Sequence, residues 1–346
     1  VYGRLEARGD GRFTNDAGIQ VNAVTLRPGG AVRLDYNMDV NDQFVISRQD
    51  NSNLGLAENK WGDTTPLVLD GAQFGIVNSN GRVNSETVGQ ITVKGGAGIF
   101  LERSGTNGQP ILITNSGIVR DGQALLSLRN TTTTELGSSA LQSQKFFIND
   151  PTWVANNTHN GMLDPWFLNV SNLSFLSYSE DTGLISTPYT TGTGASFLSG
   201  LTSTSIAHYS TAGNATLSGT VNAYALRVTG TTTLSGQQIN IHSGGLITNG
   251  TVNFDSNLYF GNGTTPTEGI FFSNDGTVTV NGVLTANNFT RGGPSTLVLA
   301  NANNVITGNI QINGGTLIAN VPGSLGTAST ITLHADYFNN NNGSQT

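Results

Sequence analysis

The sequence predicts an all-β protein, a parallel β-helix (β-solenoid) with an irregular insertion near its middle. Short stretches of alternating apolar residues recur along the chain, and runs of Gly, Asn, Thr and Ser separate them. Each stretch is too short to fold alone, but successive coils would bury one continuous apolar face and pair their backbone edges. The clearest set comprises residues 223–228, 239–242, 252–254, 270–272, 277–280, 310–312 and 330–333.

The composition favours the same class. Charged residues make up 11% of the chain, against about 25% in an ordinary globular domain. The chain has 45 Gly and 9 Pro in 346 residues, a share below that of disordered low-complexity sequences. β-branched residues and period-two alternation recur throughout, which disfavours a disordered polar tract.

Helical periodicity is nearly absent. No stretch places apolar residues at i, i+3, i+4 and i+7 over three turns. The best candidate, residues 139–145, would form one or two turns. Strands should therefore alternate inward and outward residues, and we expect Ile310, Ile312 and Leu317 to point into the core while Gln311 and Asn313 face out or turn.

Charge and cysteine content bear on partners and location. The net charge is −7 without a basic cluster, which disfavours nucleic acid as a partner. No apolar run approaches the roughly 20 residues of a membrane span. The chain has no cysteine, and inter-coil hydrogen bonds can replace disulfides in a secreted protein. Low charge with abundant Thr, Asn, Ser and Gly is typical of secreted proteins of the bacterial cell surface or extracellular matrix, where we expect this protein.

Charge and aromatic residues suggest a three-part organisation. Nearly all charged residues precede residue 182, and an irregular segment near the change holds Trp153 and Trp166. We expect solenoid coils in residues 1–136, an aromatic-rich insertion in 137–190 and solenoid repeats in 191–346. The insertion admits two interpretations, a carbohydrate-stacking surface or a small satellite core under a long loop.

Three stretches near the C-terminus resemble the autotransporter-associated β-strand repeat. They are residues 296–303, 307–319 and 323–326, which match a Leu-rich strand, a Thr-Gly turn with Ile-x-x-Gly-Thr-Leu, and a Ser-Leu-Gly closure. Val305 and Ile306 replace the aromatic residue usual before Thr-Gly. The resemblance implies a secreted, right-handed parallel β-helix of the kind found in bacterial surface proteins and passenger domains, and it implies no catalytic residues.

The search for chemistry predicts no catalytic, cofactor-binding or metal-binding residue, and we expect a protein that is not an enzyme. His334 and Asp336 form the only His–carboxylate pair close in sequence, a spacing more typical of a surface turn than of a metal site. Asp255 and Asp275 stand about one coil apart and could stack like the carboxylates of polysaccharide-cleaving β-helices, but both lie in turn-like sequences. Residues 8–10 form an Arg-Gly-Asp tripeptide, which arises readily by chance in a Gly-rich chain.

The expected function is structural, as a shaft, adhesin, or filament or matrix subunit. The alternative, from another class, is a carbohydrate-binding or polysaccharide-cleaving β-helix that uses the aromatic insertion. Neither end of the chain has an amphipathic capping helix in its sequence. Because an uncapped solenoid exposes unpaired backbone groups, we expect self-association, end to end or by strand exchange, or continuation into further segments of a longer chain. Surface carbohydrate is a further possible partner.

Overall fold

The structure is a computed structural model that describes residues 4–8, 24–35, 61–78, 83–103, 109–130, 135–138, 143–210 and 213–334. Within these residues the protein is all-β: its strands form several parallel sheets, and its two helices have six residues each. The chain divides into two compact units. Unit 1 comprises residues 1–163 and 167–186, and unit 2 comprises residues 164–166 and 187–346.

Unit 1 has short strands and one helix. They are β1 (Arg4–Arg8), β2 (Val24–Leu26), β3 (Ala31–Asp35), β4 (Leu67–Asp70), β5 (Gln73–Asn78), β6 (Val83–Val88), β7 (Ile91–Arg103), β8 (Gln109–Thr114), β9 (Ile118–Asn130), β10 (Lys145–Ile148), α1 (Pro151–Asn156), β11 (Thr158–His159), β12 (Met162–Leu163), β13 (Phe167–Asn169), β14 (Ser174–Ser179) and β15 (Gly183–Ser186).

Parallel pairing dominates unit 1. Its main sheet has the order β1-β3-β5-β7-β9-β13-β14-β15, with β2 and β4 joined to β7, and a second sheet has the order β10-β8-β6. Strand β7 serves two neighbours, because residues 91–94 pair with β4 and residues 98–103 pair with β5. The register shifts between Lys94 and Gly96, where Gly95 has a φ of 62° and lets the strand turn.

Antiparallel pairing in unit 1 is confined to the expected insertion. Among the described strands, the antiparallel pairs are β11–β12, β13–β14 and β14–β15. They lie within residues 137–190, together with β10 and α1. Residues 139–142 of the predicted short helix lie outside the described residues, and Lys145 belongs to β10, not to a helix.

Unit 2 consists of shorter and more regular elements. They are β16 (Thr190–Gly192), α2 (Gly194–Ser199), β17 (Ile206–Ser210), β18 (Ala215–Leu217), β19 (Val221–Ala223), β20 (Ala225–Thr229), β21 (Thr232–Gly236), β22 (Ile239–Ile241), β23 (Gly245–Asn249), β24 (Val252–Phe254), β25 (Leu258–Phe260), β26 (Gly269–Ser273), β27 (Thr277–Val280), β28 (Leu284–Ala286), β29 (Phe289–Gly292), β30 (Thr296–Leu299), β31 (Val305–Ile306), β32 (Asn309–Ile312), β33 (Thr316–Ala319) and β34 (Thr330–Leu333).

These strands form three parallel sheets. Sheet A has the order β16-β17-β20-β23-β26-β29-β32-β34, sheet B the order β18-β21-β24-β27-β30-β33, and sheet C the order β19-β22-β25-β28-β31. From β17 to β33 the chain visits A, B and C in turn, and we call three such strands a round; β34 then returns to sheet A. The predicted strands at 239–242, 252–254, 270–272, 277–280, 310–312 and 330–333 are confirmed, whereas 223–228 is divided between β19 and β20.

The rounds have nearly constant length. Along sheet A the paired residues differ by 19, 20, 25, 20, 21 and 21 positions, as the series Ala207, Leu226, Leu246, Phe271, Arg291, Ile312 and Leu333 gives by subtraction. The separation of Asp255 and Asp275, placed about one coil apart from the sequence, agrees with this period. The one long round takes its extra residues between β25 and β26, where the chain makes a loop before it rejoins sheet A.

The core of unit 2 is built from inward-facing ladders. Ile239, Leu258 and Leu284 are paired in successive strands of sheet C, and all three are fully buried. Sheet B contributes Val252, Val278 and Leu297 in the same way. Burying such a side chain stabilises the fold by about 1.5–3 kcal/mol, so each added round extends one apolar core.

A charged side chain, that of Arg291, lies on an inward ladder. Arg291 pairs between Phe271 and Ile312 and is fully buried. Its Nη2 donates to the carbonyl oxygen of Ser295 at 2.6 Å, so the guanidinium reaches the corner between sheets A and B. The sequence did not predict a buried arginine, because the alternation of residues predicts which way a side chain points and not whether a charged one is buried.

Two polar residues that were expected to face out or turn are nevertheless buried. Ile310 is fully buried, and Ile312 and Leu317 pack against the core as predicted. Gln311 and Asn313, however, are only 8% and 0% exposed, and Gln311 Nε2 donates to Asn313 Oδ1 at 2.8 Å.

The reason is that an outward direction does not ensure contact with solvent. Thr290, the register partner of Gln311 in sheet A, is fully buried as well. Ile247 and Phe272 alternate with inward-facing residues and are also buried. The outward side of this part of sheet A therefore has the burial of an interior surface, which local alternation cannot predict.

Candidate functional site

The two carboxylates considered for catalysis lie at different corners of the rounds. Asp255 follows β24 at the corner between sheets B and C, whereas Asp275 precedes β27 at the corner between sheets A and B. Phe254 pairs with Val280, so Asp255 lies beside Asn281 of the next round. The Asn281 Nδ2 donates to Asp255 Oδ1 at 2.7 Å. The register therefore stacks Asn281, not Asp275, on Asp255.

Asp275 stabilises its own turn. Its Oδ1 accepts a 2.7 Å hydrogen bond from the backbone N–H of Gly276, which has a φ of 70°. Asp commonly fixes turns in this way, because its short side chain reaches the backbone one or two residues on. Both carboxylates thus serve the turns in which the sequence places them.

Other predicted sites do not assemble. Within the described ranges, no three His, Cys, Asp or Glu side chains are grouped closely enough to hold a metal ion. His334 follows β34, and its N–H donates to the carbonyl of Ile312 at 2.9 Å, while Asp336 lies outside the described residues. Of the Arg-Gly-Asp tripeptide, Arg8 ends β1, and Gly9 and Asp10 lie outside the described residues.

The aromatic residues of the insertion pack into the protein. Trp153 belongs to α1, whose N-terminal Asp150 accepts a 2.9 Å bond from the Trp153 N–H. The indole Nε1 donates to the carbonyl of Ile118 at 2.8 Å, and the ring covers Gly117, where a Cβ would lie 2.5 Å from it. Phe167 meets the indole edge to face at 5.6 Å between centroids.

Most of the remaining rings of this segment are buried or hydrogen-bonded, and Phe147 is partly exposed. Within unit 1, Phe146 and Phe175 are fully buried, and the Tyr178 hydroxyl donates to the carbonyl of Ile148 at 3.0 Å. Trp166, in unit 2, is 4% exposed. Carbohydrate stacking needs an exposed ring face, so this arrangement favours the satellite-core interpretation over the carbohydrate-stacking one.

Asparagine side chains join successive rounds at the corners of unit 2. Asn304 is buried at the corner between sheets B and C, where its Oδ1 accepts from the Leu284 N–H and its Nδ2 donates to the Ser324 carbonyl, both at 2.8 Å. At the corner between sheets A and B, Asn274 Nδ2 donates to Asn249 Oδ1 at 3.1 Å. The abundance of Asn in the sequence does not by itself reveal this role. The recurrence of Asn residues about one round apart would have indicated it.

A charge ladder crosses three strands of unit 1 and extends to Arg27. Asp70, Lys94 and Asp121 are register partners in β4, β7 and β9. Lys94 Nζ lies 2.8 Å from Asp121 Oδ2, and Arg27 Nη1, directly after β2, lies 4.0 Å from Asp70 Oδ2. A hydrogen bond and the charge of Asp121 raise the pKa of Lys94 above its usual value. The alternation of sign favours this register over one in which like charges would meet.

A cluster of polar and aromatic side chains marks the start of sheet A. Arg227 Nη2 donates to His208 Nδ1 at 3.1 Å, and His208 Nε2 lies 2.9 Å from Thr229 Oγ1. Tyr189, directly before β16, places its ring 4.9 Å from the Arg227 guanidinium carbon and 6.0 Å from the His208 ring. Burial, and to a lesser extent the charge of Arg227, lower the pKa of His208 to about 4.

The two ends of the described part of unit 2 differ. At the first round, α2 packs against β18 and β19, with Leu198 fully buried and Ala195 and Phe197 against the core. At the other end, the final described strands of sheets A, B and C are β34, β33 and β31, which we call the last round. There Leu333 continues the inward ladder of Ile312 yet is 74% exposed, and Ile331 is 50% exposed. A six-residue helix carries too short a pattern to be found from sequence. The last round is the candidate functional site, because its core positions are exposed and its strand edges have no described partner.

Further features of the last round fit an interface. Among the described residues, β31, β33 and β34 each pair with a single neighbouring strand, so each has a backbone edge without a described partner. Residues 319–326, the last residue of β33 and the turn after it, line an open cavity of about 450 Å³. Neither described helix has the length and apolar content needed to span a membrane. No protein-family model, curated protein or solved structure matches this chain.

Proposed function

We propose that this protein is a structural β-solenoid module, a right-handed parallel β-helix secreted to the bacterial cell surface or extracellular matrix. It serves there as a shaft, an adhesin, or a filament or matrix subunit. The observation that supports this function is the unbroken parallel register of unit 2, in which rounds of 19 to 25 residues add one strand to each of three sheets. Such stacking makes an elongated scaffold whose length grows with each round.

Two further observations favour a scaffold over an enzyme. The carboxylates Asp255 and Asp275 are engaged in separate turns, so they do not form the paired acid and base that glycoside cleavage uses. The sequence of β30 to β33, with the turn that follows, resembles the repeat of bacterial surface proteins.

The proposed partner surface is the last round. A second copy, joined end to end or by strand exchange, or a further segment of a longer chain, would pair with the edges of β33 and β34 and cover Leu333. Backbone pairing gives such contacts strength, and a continuing apolar ladder gives them register. Surface carbohydrate remains a proposed ligand of the assembled scaffold.

Sedimentation velocity and negative-stain electron microscopy test this function on the full chain. We expect association that grows with protein concentration and elongated particles whose length increases in steps. Leu333→Asp should reduce association by placing a charge on the exposed ladder, and Val119→Asp, at an exposed valine of unit 1, should leave it unchanged. A folded monomer at all concentrations, seen as a compact particle, would contradict the proposal.

A further inference from the structure

The segment that opens unit 2 is held to sheet A by one histidine-centred cluster. Strand β16 is an edge strand and pairs only with β17 among the described strands, with Thr191 opposite His208. Tyr189 precedes β16 and stacks over the guanidinium of Arg227 on β20. Side chains from three neighbouring segments of sheet A therefore meet at the His208 ring.

The hydrogen bonds of this cluster define the protonation state of His208. A guanidinium donates and never accepts, so the contact between Arg227 Nη2 and His208 Nδ1 requires a lone pair on Nδ1. The imidazole proton is then on Nε2, which donates to Thr229 Oγ1. The cluster is complete only while His208 is neutral.

Protonation would reverse this arrangement. A proton on Nδ1 would turn the acceptor into a donor that faces the Arg227 N–H groups, and two positive charges would lie about 3 Å apart. Of the described residues, the titratable groups that face the imidazole are Arg227 and the Tyr189 phenol, neither of which supplies a negative charge near neutral pH. The same arrangement explains the lowered pKa of His208, because burial and the neighbouring guanidinium both disfavour the imidazolium.

We propose that His208 is an acid-sensitive latch whose protonation releases Tyr189 and the edge strand β16 from sheet A. The response belongs to the folded protein and does not depend on the proposed scaffold function. It would loosen the segment that enters unit 2 while the later rounds, which contain no such cluster among their described residues, keep their register.

The direction in which the latch responds to pH follows from the lowered pKa of His208, which is about 4 against an ordinary 6.5. The folded state then binds fewer protons than the unfolded state between these values, so this group's stabilising contribution is complete above about pH 6.5. It is lost progressively as the pH falls toward 4. Half-burial and solvent screening make the change smaller than for a fully buried group.

Hydrogen exchange of the intact chain, expressed as protection factors, tests the latch between pH 7 and pH 4. We expect protection at residues 190–192 to fall at least fivefold, while that at residues 252–254 in sheet B holds. His208→Gln should abolish the difference, because glutamine can accept from Arg227 and donate to Thr229 without titrating in this range. His159→Gln, at an exposed histidine of the β11–β12 hairpin, is the matched control and should behave as the parent.

A second measurement applies if His208→Gln does not fold. Arg227→Gln removes the neighbouring charge, so the His208 pKa, followed by NMR of the imidazole, should rise toward 6.5. The acid-induced loss of protection at residues 190–192 should move to higher pH with it. Protection that is unchanged down to pH 4, or that falls equally in the parent and in His208→Gln, would overturn the proposal.

Discussion

Asn281 donates a 2.7 Å hydrogen bond from Nδ2 to Oδ1 of Asp255 in the preceding round. The bond follows from the register, because each of these residues comes directly after paired positions of sheet B. It gives the Asp255 carboxylate a structural partner at the corner between sheets B and C. A carboxylate used in this way stabilises a turn.

Removal of Asp255 or Asp275 should have a small structural effect and no catalytic one. Both side chains are exposed, and Asp255→Ala loses one hydrogen bond, which should lower the free energy of unfolding by about 1 kcal/mol. We expect no cleavage of acidic or neutral polysaccharides by the parent chain and no loss of Tm in a chelator. The measurements are reducing-end release and thermal unfolding. Cleavage that disappears in either alanine variant would identify an enzyme.

Asn304→Ala should be among the most damaging polar substitutions in unit 2. It removes the acceptor of the Leu284 N–H and the donor to the Ser324 carbonyl at a buried position. An unsatisfied buried group costs about 1–3 kcal/mol, so we expect a loss of at least about 2 kcal/mol by chemical denaturation. Asn303→Ala, at the exposed neighbouring position, is the control and should cost less than about 0.5 kcal/mol. Equal losses would show that the corner bonds contribute little.

The core register can be tested with two isoleucines. Ile310 is fully buried on the inward face of sheet A, so Ile310→Asp should cost about 4 kcal/mol or more. Ile318 faces outward in sheet B and is 41% exposed, so Ile318→Asp should cost less than about 1 kcal/mol. Denaturant titration of both variants gives the comparison. A larger loss at Ile318 than at Ile310 would mean that the inward and outward rows are exchanged.

The charge ladder of unit 1 should respond to salt. Asp70→Lys would place three positive charges in succession with Arg27 and Lys94, which the alternating register otherwise avoids. We expect a lower Tm at low ionic strength and a smaller decrease at 1 M salt, where the Debye length is about 3 Å. The control, Asp63→Lys, changes the net charge equally at an exposed position in another turn. The prediction fails if both variants lower Tm by the same amount at every salt concentration.

The strands and their period were predictable because both follow from local alternation and turn residues. The stretch at 277–280 is strand β27 to the residue, since Gly276 and Asn281 bound it with turn chemistry. Helix α2 was not predictable, because six residues carry no measurable periodicity and its position depends on burying Leu198 against the first round. The burial of Gln311 likewise depends on tertiary packing beyond its own strand.

The candidate site was harder to predict than the fold. Exposure of Leu333 depends on which strands lie beyond it, and its sequence context is that of any core position. The latch depends on His208 and Arg227, which are 19 residues apart and meet only through the register of β17 with β20. A scan for histidines near carboxylates in sequence could not find a cluster whose partners are an arginine, a threonine and a tyrosine.

The loop between β25 and β26 makes one round five residues longer than the next, yet the pairs Leu246–Phe271 and Phe271–Arg291 continue sheet A without a break. The loop is closed at its base by a bridge between Gly261 and Pro266 and by the Thr267 N–H, which donates to the Phe260 carbonyl at 2.8 Å. Strand spacing in a parallel sheet comes from backbone pairing at about 4.8 Å and not from the length of chain between strands. This corner is therefore a natural insertion point, at which a foreign peptide between Thr264 and Thr265 would be displayed outside the sheets without altering their geometry.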